Sequence, residues 1–232
     1  MSGTFLPEPL LIGKALAVHG LILRSGFNFG SGEEPPAGRS GRPARSVLLV
    51  GQAGGAPWPH FQRWRKAQPR KLENPLDSWS REVIGAVAAR FGARAVSPSD
   101  RPWLPFQQWA MRAEGLKASP LGILMHPEYG LWHAYRGALL FESEISIQAS
   151  QSQIHLCDPC IGKPCLNSCP AEAFSKDGFA YEDCLSHVRG PQGATCREAG
   201  CIARNACPHG SAYRYPAEEQ AFHMASFASP KS

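Results

Sequence analysis

The chain contains the stretch Cys157-Asp-Pro-Cys160-Ile-Gly-Lys-Pro-Cys165-Leu-Asn-Ser-Cys169-Pro170, in which four cysteines end on a Cys-Pro pair. A second group of four follows and again closes on proline: Cys184, Cys196, Cys201 and Cys207-Pro208. These are all eight cysteines of the 232-residue chain, so residues 1–156 contain none. Repeated thiolates that close on Cys-Pro are typical of two iron–sulfur clusters. The pattern predicts that the C-terminal third moves electrons.

Disulfides and zinc are the alternative uses of eight cysteines. Disulfides need an oxidising compartment, and the first residues, Met1-Ser-Gly-Thr-Phe-Leu-Pro-Glu-Pro9, lack the basic and apolar regions of a signal peptide. Two tetrahedral zinc sites would also use eight thiolates. Two [4Fe–4S] clusters are favoured because both terminal cysteines precede proline and the first three cysteines lie within nine residues.

The spacing of the cysteines departs from the usual bacterial ferredoxin run. Ile161-Gly-Lys-Pro164 lengthens the second gap by two residues, and the second group is looser still. If the chain crosses over as in two-cluster ferredoxins, one cluster is held by Cys157, Cys160, Cys165 and Cys207. The other cluster is then held by Cys169, Cys184, Cys196 and Cys201. This assignment leaves no spare ligand.

Length, charge and hydropathy limit the remaining possibilities. No stretch approaches the ~18 apolar residues of a membrane span, so we expect a cytoplasmic protein with reduced thiols and no membrane partner. Residues 1–150 carry 17 Lys and Arg against 11 Asp and Glu, whereas residues 151–232 carry 7 against 8. The basic body is consistent with an anionic ligand, with docking of a redox partner, or with an ordinary solvated surface.

The N-terminal body alternates helical and extended signals, which predicts an α/β (α+β) fold with helices over a sheet. Residues 8–19, 76–91 and 105–114 are predicted helices, and the second of these carries an apolar stripe every four residues. Predicted strands are 20–24, 46–51, 94–97, 121–125 and 131–141. We expect two domains, residues 1–150 and residues 151–232 with a C-terminal tail that folds back over a cluster.

One block of the body resembles the cobalamin-processing chaperones of the CblC type. It runs His126-Pro-Glu-Tyr-Gly-Leu-Trp-His-Ala-Tyr-Arg-Gly137, and Leu131 replaces a glycine of that family's pattern. Asn74-Pro-Leu-Asp77 resembles that family's entry to a helix. The resemblance covers residues 45–145 and implies a nitroreductase-like α/β sandwich that binds cobalamin.

The C-terminal third resembles the epoxyqueuosine reductase family. The matching residues are Cys184-Leu-Ser-His-Val-Arg-Gly-Pro191, followed by the Cys-Pro ending. That family joins a nitroreductase-like, cobalamin-binding domain to two [4Fe–4S] clusters. The chain is too short for the helical-repeat domain usual there, and it has no match to the segment that carries the acidic proton donor. Nucleic acid is therefore an unexpected partner.

The resemblance to the CblC-type chaperones implies a set of cofactor-binding residues in the body: His126, Tyr129, Gly130, Trp132, Arg136 and Gly137. His126 would contact the corrin rim or phosphate tail, although a histidine satisfied at a strand–turn junction is the structural alternative. Arg136 would share a strand face with Trp132 and suit a phosphate or amide. Its structural alternative is an ion pair with Glu128 or Glu142.

These features predict an oxidoreductase that reduces or dealkylates a corrinoid with electrons from two [4Fe–4S] clusters. The expected partners are a corrinoid or other small molecule and an electron-donor reductase. Two alternatives stay open at this point. One is a ferredoxin-fused flavoprotein that uses FMN or FAD to reduce a small organic substrate, and the other is a simple electron carrier.

Overall fold

The computed structural model describes residues 9–147, 154–175 and 178–229. The chain divides into two compact units. Unit 1 consists of Met1–Gly115 and Ala134–Ser152, and unit 2 consists of Leu116–His133 and Gln153–Ser232. We expected a single boundary near residue 150. The observed division differs from it in one segment, Leu116–His133, which groups with the cysteine-rich part of the chain.

The described elements run in the order α1 Pro9–Ala17, β1 Ile22–Asn28, β2 Ser46–Ala53, α2 Trp58–Lys66, α3 Pro75–Arg90, β3 Arg94–Val96, α4 Phe106–Glu114, β4 Lys117–Ala118, β5 Leu124–Met125 and β6 His133–Phe141. The cysteine-rich part adds α5 Pro164–Asn167, β7 Phe174–Ser175, β8 Gly178–Phe179, α6 Tyr181–Arg189, α7 Ala194–Ala199, α8 Ile202–Asn205 and α9 Ala217–Ala228. The predicted mixture of helices and strands is confirmed. Among the described helices, none is both long and apolar enough to cross a membrane.

Unit 1 is built on a four-stranded sheet in the order β1-β2-β6-β3. β1 pairs antiparallel with β2, and β3 pairs antiparallel with β6, where Ala95 lies opposite Leu139. β2 is buried along nearly its whole length, as its apolar run predicts for a strand covered on both faces. The strand predicted at 20–24 starts and ends later, because its pairing with β2 extends to Asn28 opposite Ser46.

Helix α3 supplies much of the core of unit 1. Three residues of its predicted stripe, Trp79, Val83 and Val87, are buried together with Ile84 and Ala88. The fourth, Phe91, follows the last residue of the helix and is only partly buried. Burial of a large apolar side chain contributes roughly 1.5–3 kcal/mol, so this face anchors the helix. The strands predicted at 121–125 and 131–141 are shorter than expected, since β5 is confined to Leu124–Met125 and β6 begins at His133.

Unit 2 is made of short elements, and its apolar core includes cysteines. A single buried cluster joins three cysteines to four other side chains: Leu121, Met125, Leu131, Cys157, Cys165, Ala203 and Cys207. Helix α9 packs against α6 and α7, which carry Cys184 and Cys196. The tail therefore folds back onto helices that carry cysteines. A unit this small buries little apolar surface, and such units commonly depend on metals or cross-links for stability.

Candidate functional site

The eight thiols of unit 2 form two sets of four. Burial raises the pKa of Cys157 to about 11, and the pKa is raised further by the nearby thiols of Cys207, Cys165 and Cys160. Burial likewise raises the pKa of Cys184 to about 11, with added contributions from Cys201, Cys169 and Cys196. The first set is therefore Cys157, Cys160, Cys165 and Cys207. The second set is Cys169, Cys184, Cys196 and Cys201.

This division follows the crossover of the chain. Cys169, the last cysteine of the first run, influences Cys196 and Cys201, while Cys207 influences Cys165. Neighbouring segments of sequence thus contribute to different sets. The fold brings together the same fours that the ferredoxin-like crossover predicts.

The first set surrounds a pocket. Its lining includes all four thiols, together with Ser119, Pro120, Met125, Leu131, Lys163, Pro164, Pro208 and His209. The cavity between these side chains is small, about 10 Å³. The segments that contribute to it come from both parts of unit 2, Leu116–His133 and the cysteine-rich region.

Backbone amides point toward several of these sulfurs. The N–H groups of Leu166 and His209 hydrogen-bond to Cys165 and Cys207, and each bond lowers the pKa of its thiol against the larger effect of burial. Cys201 receives similar bonds from Arg204 and Ala203. Hydrogen bonds of this kind stabilise thiolates and tune iron–sulfur centres.

The donor set fits a metal group with all-thiolate ligation. Buried thiols with raised pKa values stay protonated at neutral pH, and a bound metal displaces those protons. In the described ranges, no three His, Cys, Asp or Glu side chains lie close enough to hold one metal ion. The four thiols of the first set instead line one common cavity.

The predicted site residue His126 is engaged in a tight turn. Its Nδ1 accepts hydrogen bonds from the N–H groups of Glu128 and Tyr129, both at 3.1 Å. Its ring stacks on that of Tyr129, with centroids 4.1 Å apart and an interplanar angle of 6°. The backbones of His126 and Gly130 exchange two hydrogen bonds of 2.9 and 3.0 Å. These contacts are those of a histidine at a strand–turn junction.

The turn that follows His126 lies against the segment that carries Cys207. A Cβ on Gly130 would lie 2.2 Å from the carbonyl oxygen of His209. Tyr213 donates a hydrogen bond to the carboxylate of Glu128, and its ring packs edge-on against Tyr129 at 4.8 Å. The turn therefore packs against the Cys207 segment and helps to position it.

Trp132 lies in the interior of unit 2, where it is fully buried. Arg204 covers its ring at 4.4 Å, and Tyr215 packs edge-on at 5.4 Å. Arg204 also donates to the carbonyl oxygen of Leu131 at 2.5 Å. In this arrangement Trp132 packs as a core side chain that anchors α8 between Cys201 and Cys207.

Arg136 and Gly137 belong to unit 1 and are separated by the unit boundary from the other four predicted site residues. The prediction that Arg136 and Trp132 share a strand face required both to lie in the same strand. Trp132 instead precedes β6, so the alternation of side chains along that strand does not include it. Arg136 donates from Nε to Gln52 Oε1 at 2.7 Å. The alternative ion pair with Glu142 is wrong, because that carboxylate binds Arg42 and Ser40. Gly137 allows close packing of Ile84.

A buried network in unit 1 was not predicted. Arg24 donates to both carboxylate oxygens of Glu114, and it also donates to the Tyr135 hydroxyl at 3.2 Å. The side chains of the ion pair are 3% and 9% exposed. Burial raises the pKa of Tyr135, and Arg24 opposes that rise. Glu114 lies on the buried face of α4 with Ala110 and Ala113. The spacing of these residues along the predicted helix is the sequence signal that could have indicated a buried Glu114.

No protein-family model matches the chain, and a comparison with curated proteins gives no match. Solved structures do show the fold. The epoxyqueuosine reductase of Bacillus subtilis, with its catalytic loop swung out of the active site, is 16% identical with a TM-score of 0.50 and covers 91% of this chain and 67% of that chain. The B12-trafficking protein CblC of C. elegans is 12% identical with a TM-score of 0.50 and covers 97% of both chains.

The chain is similar in fold to epoxyqueuosine reductases and to CblC. Both families to which the sequence bears a resemblance are thus structural neighbours. The chain spans about half the length of two further epoxyqueuosine reductases, 51% of the Streptococcus thermophilus protein and 52% of the other. At these low identities the likeness concerns the fold.

One neighbour bears on the expected partners. An epoxyqueuosine reductase bound to an epoxyqueuosine-modified tRNA stem loop has a TM-score of 0.51, is 15% identical and covers 91% of this chain and 67% of that chain. The expectation that nucleic acid is not a partner is in tension with this finding, because the same fold binds RNA in that structure.

Proposed function

We propose that the chain is an iron–sulfur redox protein that reduces or dealkylates a corrinoid. The observation that carries the proposal is the crossover of eight thiols into two sets of four in unit 2. Sets of four thiolates built this way are the ligands of [4Fe–4S] clusters in two-cluster ferredoxins. Under this proposal the chain joins a nitroreductase-like body to a ferredoxin-like module.

Each thiol set would hold one cluster. When bound, the clusters supply electrons at potentials low enough for corrinoid chemistry. The residues of the chain hold and shield them: Met125 and Leu131 cover the first set, and the N–H groups of Leu166 and His209 stabilise its thiolates. The electrons would come from a separate reductase in the cytoplasm, where thiols stay reduced.

Unit 1 would hold the corrinoid. The fold likeness to CblC over 97% of both chains supports this assignment. Of the six predicted cofactor-binding residues, Arg136 is the best candidate, since the guanidinium bonds to Gln52 through Nε and has other donors for a phosphate or amide. His126, Tyr129, Gly130 and Trp132 would act on the corrinoid indirectly, through the position of the first cluster. Gly137 would serve close packing.

Anaerobic purification and reconstitution test the proposal. We expect about eight iron and eight sulfide per chain and a brown protein, as two [4Fe–4S] clusters require. Added cobalamin should change its visible spectrum toward the form with the nucleotide base released. Arg136→Ala should weaken that change, and Arg70→Ala is the control for an exposed arginine of the same unit.

Other outcomes identify the alternatives. If the purified protein contains zinc instead of iron, the two thiol sets are structural zinc sites and not iron–sulfur clusters. A yellow protein that retains flavin and shows no spectral response to cobalamin would indicate a flavin-dependent reductase. Clusters without flavin and without a cobalamin response would indicate an electron carrier.

The tRNA-bound neighbour supports one further candidate, reduction of a modified nucleoside in RNA. This candidate is tested by the gel mobility of a tRNA stem loop, which should shift when the holoprotein binds. An unrelated hairpin is the control.

A further inference from the structure

The long second gap in the first cysteine run places a lysine beside the first thiol set. The gap contains Ile161, Gly162, Lys163 and Pro164, and Lys163 immediately precedes α5. Its Nζ donates to the carbonyl oxygen of Cys157 at 2.6 Å. The side chain therefore folds back over the loop, and its ammonium group is held at a defined place.

The charge of Lys163 acts on the thiols of this set. Lys163 lines the same pocket as all four of them. Because its Nζ is held at the carbonyl oxygen of Cys157, the ammonium group lies beside the first thiol of this set.

We propose that Lys163 raises the reduction potential of the cluster held by the first thiol set. The proposal rests on the iron–sulfur part of the proposed function. Reduction adds one electron and one negative charge to a cluster, and a fixed cation stabilises the more negative form. Net charge near the sulfurs is one of the determinants of cluster potential.

The second thiol set has a cation of its own. Arg197 follows Cys196 in the sequence, and its guanidinium donates to the carbonyl oxygen of Gly190 at 2.7 Å. Replacement of Lys163 should therefore affect one cluster and leave the other unchanged. This selectivity separates a local charge effect from a general change in the unit.

A redox titration of the reconstituted protein, followed by electron paramagnetic resonance, tests the proposal. Lys163→Met removes the charge and keeps an apolar stem, whereas Lys163→Arg keeps the charge. Lys117→Met removes an exposed lysine from the same unit and is the matched control. In Lys163→Met we expect the reduced-to-oxidised ratio of one cluster to fall about tenfold at a given solution potential, or about 59 mV for a one-electron couple.

Lys163→Arg and Lys117→Met should both keep the wild-type potentials. The proposal is overturned if both signals of Lys163→Met keep the wild-type potential, or if Lys163→Arg shifts as far as Lys163→Met. If Lys163→Met takes up no iron, Lys163→Gln is titrated and decides in the same way. Wild-type protein that binds no iron would overturn both this proposal and the proposed function, whereas intact clusters with unshifted potentials would overturn this proposal alone.

Discussion

Gly130 and Gly210 pass so close to each other that neither position has room for a side chain. A Cβ on Gly130 would lie 2.2 Å from the His209 carbonyl oxygen, and a Cβ on Gly210 would lie 2.2 Å from that of Tyr129. His209 and Gly210 follow Cys207-Pro208 directly, so this contact fixes the segment that supplies the fourth thiol of the first set. The resemblance to CblC-type chaperones lies in the block that contains Gly130, and the structure gives that block a role in unit 2.

We therefore expect Gly130→Ala to remove the iron of the first set while the second set keeps its own. The added methyl group must displace the backbone of the Cys207 segment. Gly122→Ala is the matched control, because Gly122 also has a positive φ, 76° against 57°, but a Cβ there meets nothing within 4 Å. The control should lose only the roughly 1–2 kcal/mol of the left-handed conformation. Iron analysis and thermal unfolding measure both effects, and equal iron in the two variants would contradict the prediction.

Loss of a single thiol should remove one cluster and spare the other. Cys184→Ser acts on the second set and Cys160→Ser on the first, so each variant is expected to bind about four iron instead of about eight. Ser186→Ala, an exposed position on the same helix as Cys184, should keep full iron. Iron and sulfide assays with spectroscopy of each variant check the assignment. Full iron in Cys184→Ser would show that Cys184 is not a ligand and that the assignment of the two sets is wrong.

Breaking the buried ion pair of unit 1 should strongly destabilise the protein. Glu114→Gln leaves the Arg24 guanidinium buried without a countercharge, and the free energy of unfolding is expected to fall by about 3–5 kcal/mol. The exposed pair between Arg45 and Glu144 is the comparison, with side chains 61% and 58% exposed. Glu144→Gln should cost about 0–1 kcal/mol. Urea unfolding followed by tryptophan fluorescence measures both, and a similar cost for the two variants would be evidence against the prediction.

Acid should weaken the contacts of Glu142 in unit 1. Hydrogen bonds from the Ser40 hydroxyl and N–H, followed by Arg42, hold the pKa of Glu142 below its ordinary value of 4.5. A carboxyl with a lowered folded-state pKa adds stability above its unfolded pKa, and this stability is lost as the pH falls through the folded value. Wild-type protein should therefore lose more stability than Glu142→Gln between about pH 7 and pH 3.

Urea unfolding at several pH values tests this prediction. Glu73→Gln is the control for the removal of one negative charge from an exposed position of the same unit. The curves of wild type and Glu142→Gln should converge as the pH falls, while a constant separation at every pH would rule out a contribution from the Glu142 carboxylate.

Local sequence patterns predicted the elements that depend on local physics. The stripe of Trp79, Val83 and Val87 predicted a helix that starts and ends within a residue of α3, because a 3.6-residue period exposes one apolar face whatever lies opposite. The apolar run from Ser46 predicted a buried strand for the same reason. β5 and the start of β6 were predicted too long, since Gly130 and its neighbours form a turn whose shape depends on the Cys207 segment.

The sequence by itself determined that eight thiols occur in two Cys-Pro runs, because spacing along the chain and the neighbouring prolines are visible in one dimension. Only the tertiary structure decided that His126–Trp132 lies with those thiols and that Arg24 meets Glu114, 90 residues away. A side chain's chemistry is readable at its own position. Its partner is set by long-range packing, which no local pattern encodes.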